Sequence, residues 1–134
     1  MRQESSLMDK RCIHSENAPP AAGPYSHAVA SGGLLFLSGQ VPLKPDGSGL
    51  VRDSFEAEVR QVFANIEAVL GDCGVTLDHV VKVTAYLADM DKFGELNTIY
   101  AEYFSGNEPA RTCFEVGKLP LGVSVEIEVI ATQS

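Results

Sequence analysis

The chain has 134 residues and a mass of 14.3 kDa, with 45% apolar and 21% charged residues, enough for one domain with a real core and without disulfides or metal. Those proportions exclude disordered, collagen-like and disulfide-scaffold chains, and the apolar runs fall far short of the ~20 residues that span a bilayer. Ten basic against eighteen acidic residues leave a net charge of −8 and a pI near 4.7; with no basic cluster larger than Lys10-Arg11, this balance argues against nucleic acid or anionic membrane as partner.

Residues 1–17 are polar and aperiodic, which predicts a flexible leader ahead of a single domain over residues 18–134. Residues 18–26 (APPAAGPYS) are rich in Pro, Ala and Gly and predict an extended, turn-rich segment that cannot be helical. Leu34–Val41 reads as a buried strand, and Pro42 with the run from Lys44 to Gly49 turns the chain. Asp53 or Ser54 is placed to cap a helix whose Phe55, Val59, Val62, Phe63, Ile66, Val69 and Leu70 recur at helical spacing, with Gly71 and Gly74 at its end. Val80–Leu87 is β-branched and aromatic, a strand buried on both faces. Asp91 is placed to cap a second helix with an apolar stripe of Phe93, Leu96, Ile99, Tyr100 and Tyr103. Pro109 marks a break. Two further strands, Arg111–Val116 and Val123–Ala131, flank a turn at Lys118–Gly122. This order gives an α+β domain of two layers, a mixed sheet with two helices on one face. The apolar surface exceeds what one helix pair covers, so an oligomer is expected.

Chemistry-bearing residues are few. Cys12, Cys73 and Cys113 form an odd set with no C-x-x-C and no Cys/His pair at zinc spacing; free thiols and no apolar leader predict a reducing, cytoplasmic setting. In the last strand, alternation puts Val125, Ile127 and Val129 on one face and Ser124, Glu126 and Glu128 on the other, either as a solvated face or as part of a site. Arg111, Cys113 and Glu115 share a face of the preceding strand. The planar fork of Arg111 suits a substrate carboxylate, or else a structural ion pair with Glu115, Glu126 or Glu128. Cys113 has no neighbouring base and reads as an inert buried thiol. His27 is a proton shuttle or plain polar surface. Gly39 within an extended segment suggests a bulge or a close backbone approach to a ligand. The glycines at 47–49 lack the Lys-Ser/Thr of a phosphate loop.

Four segments in order, AAGPYSHAV (22–29), LSGQVP (37–42), YLADMDKFGELNTIYAEYF (86–104) and PARTCFEVGKLPLGVSVEIEVIA (109–131), resemble the reactive intermediate deaminase family (RidA or YjgF, also called endoribonuclease L-PSP). The resemblance covers residues 17–132 and implies a chorismate-mutase-like α+β fold, a homotrimer with clefts between subunits, and no cofactor and no metal. It implies hydrolysis of reactive enamines and imines such as 2-aminoacrylate and 2-iminopropanoate to 2-keto acids and ammonia, the activity of a 2-iminobutanoate/2-iminopropanoate deaminase in metabolite damage control. By position Arg111 matches the arginine that holds the substrate carboxylate, and Glu126 the acid that orients water. Cys113 matches the motif cysteine whose backbone lines the cleft, and Tyr25, Ser38, Gly39 and Asn97 match other ligand-side residues. His27 stands where Gln is frequent, and Phe114 and Gly117 depart near the cleft, which leaves substrate size and preference open. Two other readings are a trimer that binds 2-keto acids without turnover and an endoribonuclease; acidity and the lack of a basic patch weigh against the latter.

Overall fold

Ser54 adopts an extended backbone and its hydroxyl accepts a hydrogen bond from the Ala57 N–H at 3.0 Å, starting helix α1 (Phe55–Asp72) at the expected place. Such a cap contributes about 1 kcal/mol. The stripe Phe55, Val59, Val62, Phe63, Ile66, Val69 and Leu70 is buried as expected. Gly71 stays inside the helix. The stop comes from Gly74, whose φ of 81° satisfies the left-handed position of a Schellman turn, with Gly74 N–H donating to Gly71 and Val75 N–H to Leu70.

The computed structural model describes residues 9–134. Around α1 it forms a sheet of β1 (Arg11–Ile13), β2 (Ala28–Ser31), β3 (Leu34–Leu37), β4 (Val80–Leu87), β5 (Ala110–Glu115) and β6 (Val125–Thr132). The order across the sheet is β1-β2-β3-β6-β4-β5, with only β4 and β5 parallel. Helix α2 (Phe93–Tyr103) makes the β4-to-β5 crossover. The result is the expected α+β fold of two layers, a mixed sheet with two helices. Leu35, Leu37, Val83, Ala85, Leu87, Val125, Ile127 and Val129 form the core face against the helices. Phe63 stacks on Tyr103 at 4.2 Å between ring centres and meets Tyr100 and Phe104 edge-on, joining α1 to α2.

The last two strands are shifted by one or two residues from expectation, β2 is a strand the sequence did not announce, and three further differences are larger. The strand expected over Leu34–Val41 ends at Leu37, because Gly39 and Gln40 bend to a single bridge between Gln40 and Ile127. The cap before α2 is Asp89, not Asp91: its carboxylate accepts from the Asp91 N–H and starts a short 3-10 turn, Met90–Lys92, that runs into the helix. Of the leader expected over residues 1–17, residues 1–8 lie outside the described residues, but Arg11–Ile13 is an edge strand paired with Ala28–Ala30. Ser15 and Asn17 then both donate to the Asp72 carboxylate at the end of α1. These bonds hold that carboxyl below its ordinary value, so the tether stabilises at neutral pH and is lost as pH falls through the lowered value.

His27, expected as shuttle or surface, is neither. It is 4% exposed, its Nδ1 accepts the Ser15 N–H at 3.0 Å, and its Nε2 lies 2.7 Å from the Pro19 carbonyl. Accepting at Nδ1 puts the proton on Nε2, which donates to Pro19. The ring therefore pins residues 15–19 onto β2. His27→Ala leaves a buried N–H and a carbonyl without partners and is expected to cost about 2 kcal/mol, a melting drop on the order of 5–10 °C measured by calorimetry.

Candidate active site

The β6 alternation places Glu126 and Glu128 on the sheet face away from the helices, with Tyr86 directly across on β4. The Glu128 carboxylate accepts a hydrogen bond from the Tyr86 hydroxyl, which pushes the tyrosine up to about 12. Glu126 lines an open cleft of about 310 Å³ together with Tyr25, Ser38, Gly39 and Pro120. Burial pushes its carboxyl above the ordinary value of 4.5, and the nearby Glu128 carboxylate adds to the shift. A half-buried acid held back from ionising is a candidate for exchanging protons with a ligand.

A side chain at Gly39 would displace the Glu126 carboxylate. A Cβ at that position would lie 3.1 Å from Cδ of Glu126 and nearer still to one carboxylate oxygen. Ser38 donates its hydroxyl to the Ser26 carbonyl at 2.7 Å, leaving its oxygen lone pairs toward the cleft free to accept. Tyr25 stands exposed, its hydroxyl accepting the Ala22 N–H at 3.1 Å.

Arg111 is elsewhere. Parallel register pairs it with Val83, Cys113 with Ala85 and Glu115 with Leu87, which puts all three on the helix face at the β5 edge. Its guanidinium carbon is 4.7 Å from the ring centre of Tyr100 and 5.4 Å from that of Phe93, and half-buried Asn97 sits between those two positions on the same face of α2. Among the described residues no carboxylate pairs with Arg111. The alternative ion pairs dissolve for identifiable reasons: Glu115 accepts the Met90 N–H at 2.8 Å, and Glu126 and Glu128 project from the opposite face. The arginine is thus an oriented, unpaired cation held by two rings. Cys113, half-buried beside it, has its thiol pushed up by burial, with Arg111 only partly opposing, so it is a poor nucleophile.

The seven candidate residues therefore fall into two groups in one chain. Tyr25, Ser38, Gly39 and Glu126 share a cleft; Arg111, Cys113 and Asn97 lie across the sheet, with β4 between β5 and β6. The outer sheet face carries Phe36 at 42% and Phe114 at 43% exposure, the latter edge-on to Tyr86. That is the surplus apolar surface expected from sequence, and α2 contributes little to it because Tyr100 and Tyr103 pack on Phe63 and Phe93 lies against Arg111.

Three positioning residues escaped the sequence analysis. Glu58, 7% exposed, accepts the Ser124 N–H at 2.9 Å and fixes the start of β6 just before Glu126. Asn65 donates to the carbonyls of Val41 and Leu43, at 3.1 and 2.9 Å, and fixes the loop after Gly39. The available signal was a polar residue on the apolar stripe of α1, Glu58 beside Val59 and Asn65 beside Ile66. Pro120, taken as part of a turn, lines the cleft. Among the described residues there is no cluster of His, Cys, Asp and Glu that could hold a metal, and no helix is long and apolar enough to cross a membrane.

Comparison with known proteins gives a consistent result. The family described as endoribonuclease L-PSP matches residues 15–133. A mouse protein named 2-iminobutanoate/2-iminopropanoate deaminase is 43% identical over 128 residues, covering 96% of this chain and 95% of its own. An Arabidopsis thaliana protein named reactive intermediate deaminase A, chloroplastic, is 41% identical over 128 residues, covering 96% of this chain and 68% of its own. A crystal structure of a yeast protein superposes with a TM-score of 0.90 at 46% identity, covering 93% of this chain and 99% of that one.

Proposed function

The chain belongs to the endoribonuclease L-PSP family, the RidA/YjgF proteins, and on that premise we propose that it is a hydrolytic deaminase of 2-imino acids, converting them with water to 2-keto acids and ammonia. The observation that carries this reading is Arg111, an oriented guanidinium with no carboxylate partner among the described residues. It offers two parallel hydrogen bonds to a substrate carboxylate. The net charge of −8 repels anions at long range, so this local cation supplies the attraction.

Fixing the carboxylate orients the adjacent imine carbon toward a water at Glu126. The water oxygen bonds to that carbon while Glu126 accepts one of its protons. The protonated acid returns that proton to nitrogen, which completes a carbinolamine; Glu126 then carries the hydroxyl proton to the amino group, the carbon–nitrogen bond breaks, ammonia leaves and the carbonyl forms. An imine is already an electrophile, so no covalent nucleophile is required and Cys113 has no part in bond making. The roles of Tyr25, Ser38, Gly39 and Asn97 are to shape the cleft around the bound acid.

Because Arg111 and Glu126 occupy opposite faces in one chain, we place the complete site between copies in a homotrimer, with the apolar outer face around Phe36 and Phe114 covered by assembly. The test is a coupled assay with a serine/threonine dehydratase, following pyruvate or 2-ketobutyrate with and without the protein. Faster release of the keto acid is expected; a rate equal to buffer leaves the alternative of a trimer that only binds 2-keto acids.

The raised Glu126 carboxyl has a visible consequence. As the base it must be ionised, so activity is expected to fall on the acid side with a midpoint above 4.5, the ordinary carboxyl value. Glu128→Gln removes the neighbouring negative charge and moves that limb to lower pH, without abolishing it, since burial is the larger cause. The linkage sign is the reverse of Asp72: folding favours protonated Glu126, so its contribution to stability declines as pH rises through the raised value. A pH–rate profile of both proteins checks the direction.

A further inference from the structure

A second cavity opens beside the Glu126 cleft and is not used by the chemistry above. Its volume is about 200 Å³, and it shares Tyr25, Gly39 and Pro120 with the cleft. Beyond these shared residues its walls are largely apolar, formed by Pro19, Pro20, Val41, Leu43 and Leu121. We infer that this cavity receives the substrate's side chain and selects 2-imino acids with branched aliphatic or aromatic side chains over the smallest ones, an inference that rests on the deaminase reading.

The cavity is built rather than incidental. His27 holds one wall by donating to the Pro19 carbonyl, and Asn65 holds another through the carbonyls of Val41 and Leu43. Both are buried side chains that spend their polar groups on these backbone segments. The third wall is strained: Leu121 has a φ of 60°, the left-handed region that a branched residue seldom enters, and Arg52 donates to its carbonyl. Leu121 remains 61% exposed there, at the cavity's rim. Strain of this kind persists where surrounding contacts over-determine it, and it clusters at ligand sites.

Size and polarity define the occupant. An engineered apolar cavity of about 150 Å³ holds benzene, so the space beside Gly39 is large enough for an isobutyl or phenyl group, and a methyl group leaves most of it unfilled. Both ring nitrogens of His27 are engaged, and Gln40, 6% exposed, makes no side-chain hydrogen bond among the described residues. Its amide is the one polar side chain of the inner wall open to a ligand, and the rest rewards apolar contact. The lining shared at Gly39 sets this space beside the cleft in which Glu126's water attacks.

The experiment compares kcat/KM for imines made in situ from L-leucine and L-alanine by an amino acid oxidase, in the wild-type protein, Val41→Phe and Leu121→Asp. The expected leucine-over-alanine ratio is about tenfold or more in the wild type, as for a few methylenes in an apolar pocket, falling toward one in both variants. Leu121 is exposed, so its variant keeps the test valid if Val41→Phe fails to fold. A wild-type ratio near one, or variants that lower both substrates alike, would overturn the inference. Calorimetric binding of 4-methyl-2-oxopentanoate against pyruvate separates this from the deaminase reading. If neither imine is turned over but the branched acid binds more tightly and loses that advantage in the variants, the subsite stands and the activity falls. Equal binding removes the subsite.

Discussion

Replacing Arg111 with Ala is expected to lower kcat/KM for 2-imino acids on the order of 10²–10⁴-fold, because two charge-assisted hydrogen bonds to the substrate carboxylate disappear together. The protein should still fold. Arg111 touches the rings of Phe93 and Tyr100 and pairs with no acid among the described residues, so the structural cost is a cation–π contribution of about 1 kcal/mol. Arg111→Lys keeps the charge and loses the planar fork, and it should recover only part of the activity. Steady-state rates with calorimetric binding of pyruvate distinguish the outcomes: both turnover and binding fall together if the guanidinium grips the carboxylate. Unchanged binding would assign the arginine to packing alone.

Glu126→Gln should separate the two quantities that Arg111→Ala moves together. The amide cannot accept a proton from water, so kcat is expected to drop about 10²–10⁴-fold. Binding of a 2-oxo acid should persist or tighten, since a negative charge leaves the cleft that an anion enters. The acid-side limb of the pH–rate profile should vanish with the carboxyl that causes it. A variant that loses binding as fully as turnover would make Glu126 part of the cleft's frame. Gly39, packed against this side chain, is why a carboxyl can sit so close to a main-chain segment at all.

Helix α1 was legible in the sequence because it buries a continuous apolar stripe, and strand β4 because it is β-branched and aromatic; Val80–Leu87 is found with the expected boundaries but is buried on one face only, with Val81 exposed. The alternation of β6 likewise placed Glu126 and Glu128 on one face. Strand β1 was not legible: three residues, Arg11–Ile13, exist as a strand only through pairing with β2, and no local pattern announces it. The shared face of Arg111, Cys113 and Glu115 could be read from alternation, but which face of the sheet it is depends on the parallel register between β4 and β5. That register is tertiary information. So is the role of His27, whose two partners lie 12 and 8 residues away in the chain and meet it only once the segment folds back. The left-handed backbone of Leu121 leaves no trace in a residue type that ordinarily avoids it.

The separation of Arg111 from Glu126 makes the central claim directly testable, because a site assembled from two copies can be rebuilt from two broken ones. Arg111→Ala and Glu126→Gln, each nearly inactive alone, are unfolded together, refolded as a mixture and assayed for imine hydrolysis. In a randomly mixed trimer each cleft draws an intact arginine from one copy and an intact glutamate from its neighbour about a quarter of the time, so activity near a quarter of wild type is expected. Mixed assemblies that form, as shown by native mass spectrometry, yet stay as inactive as either parent would contradict a catalytic site shared between subunits.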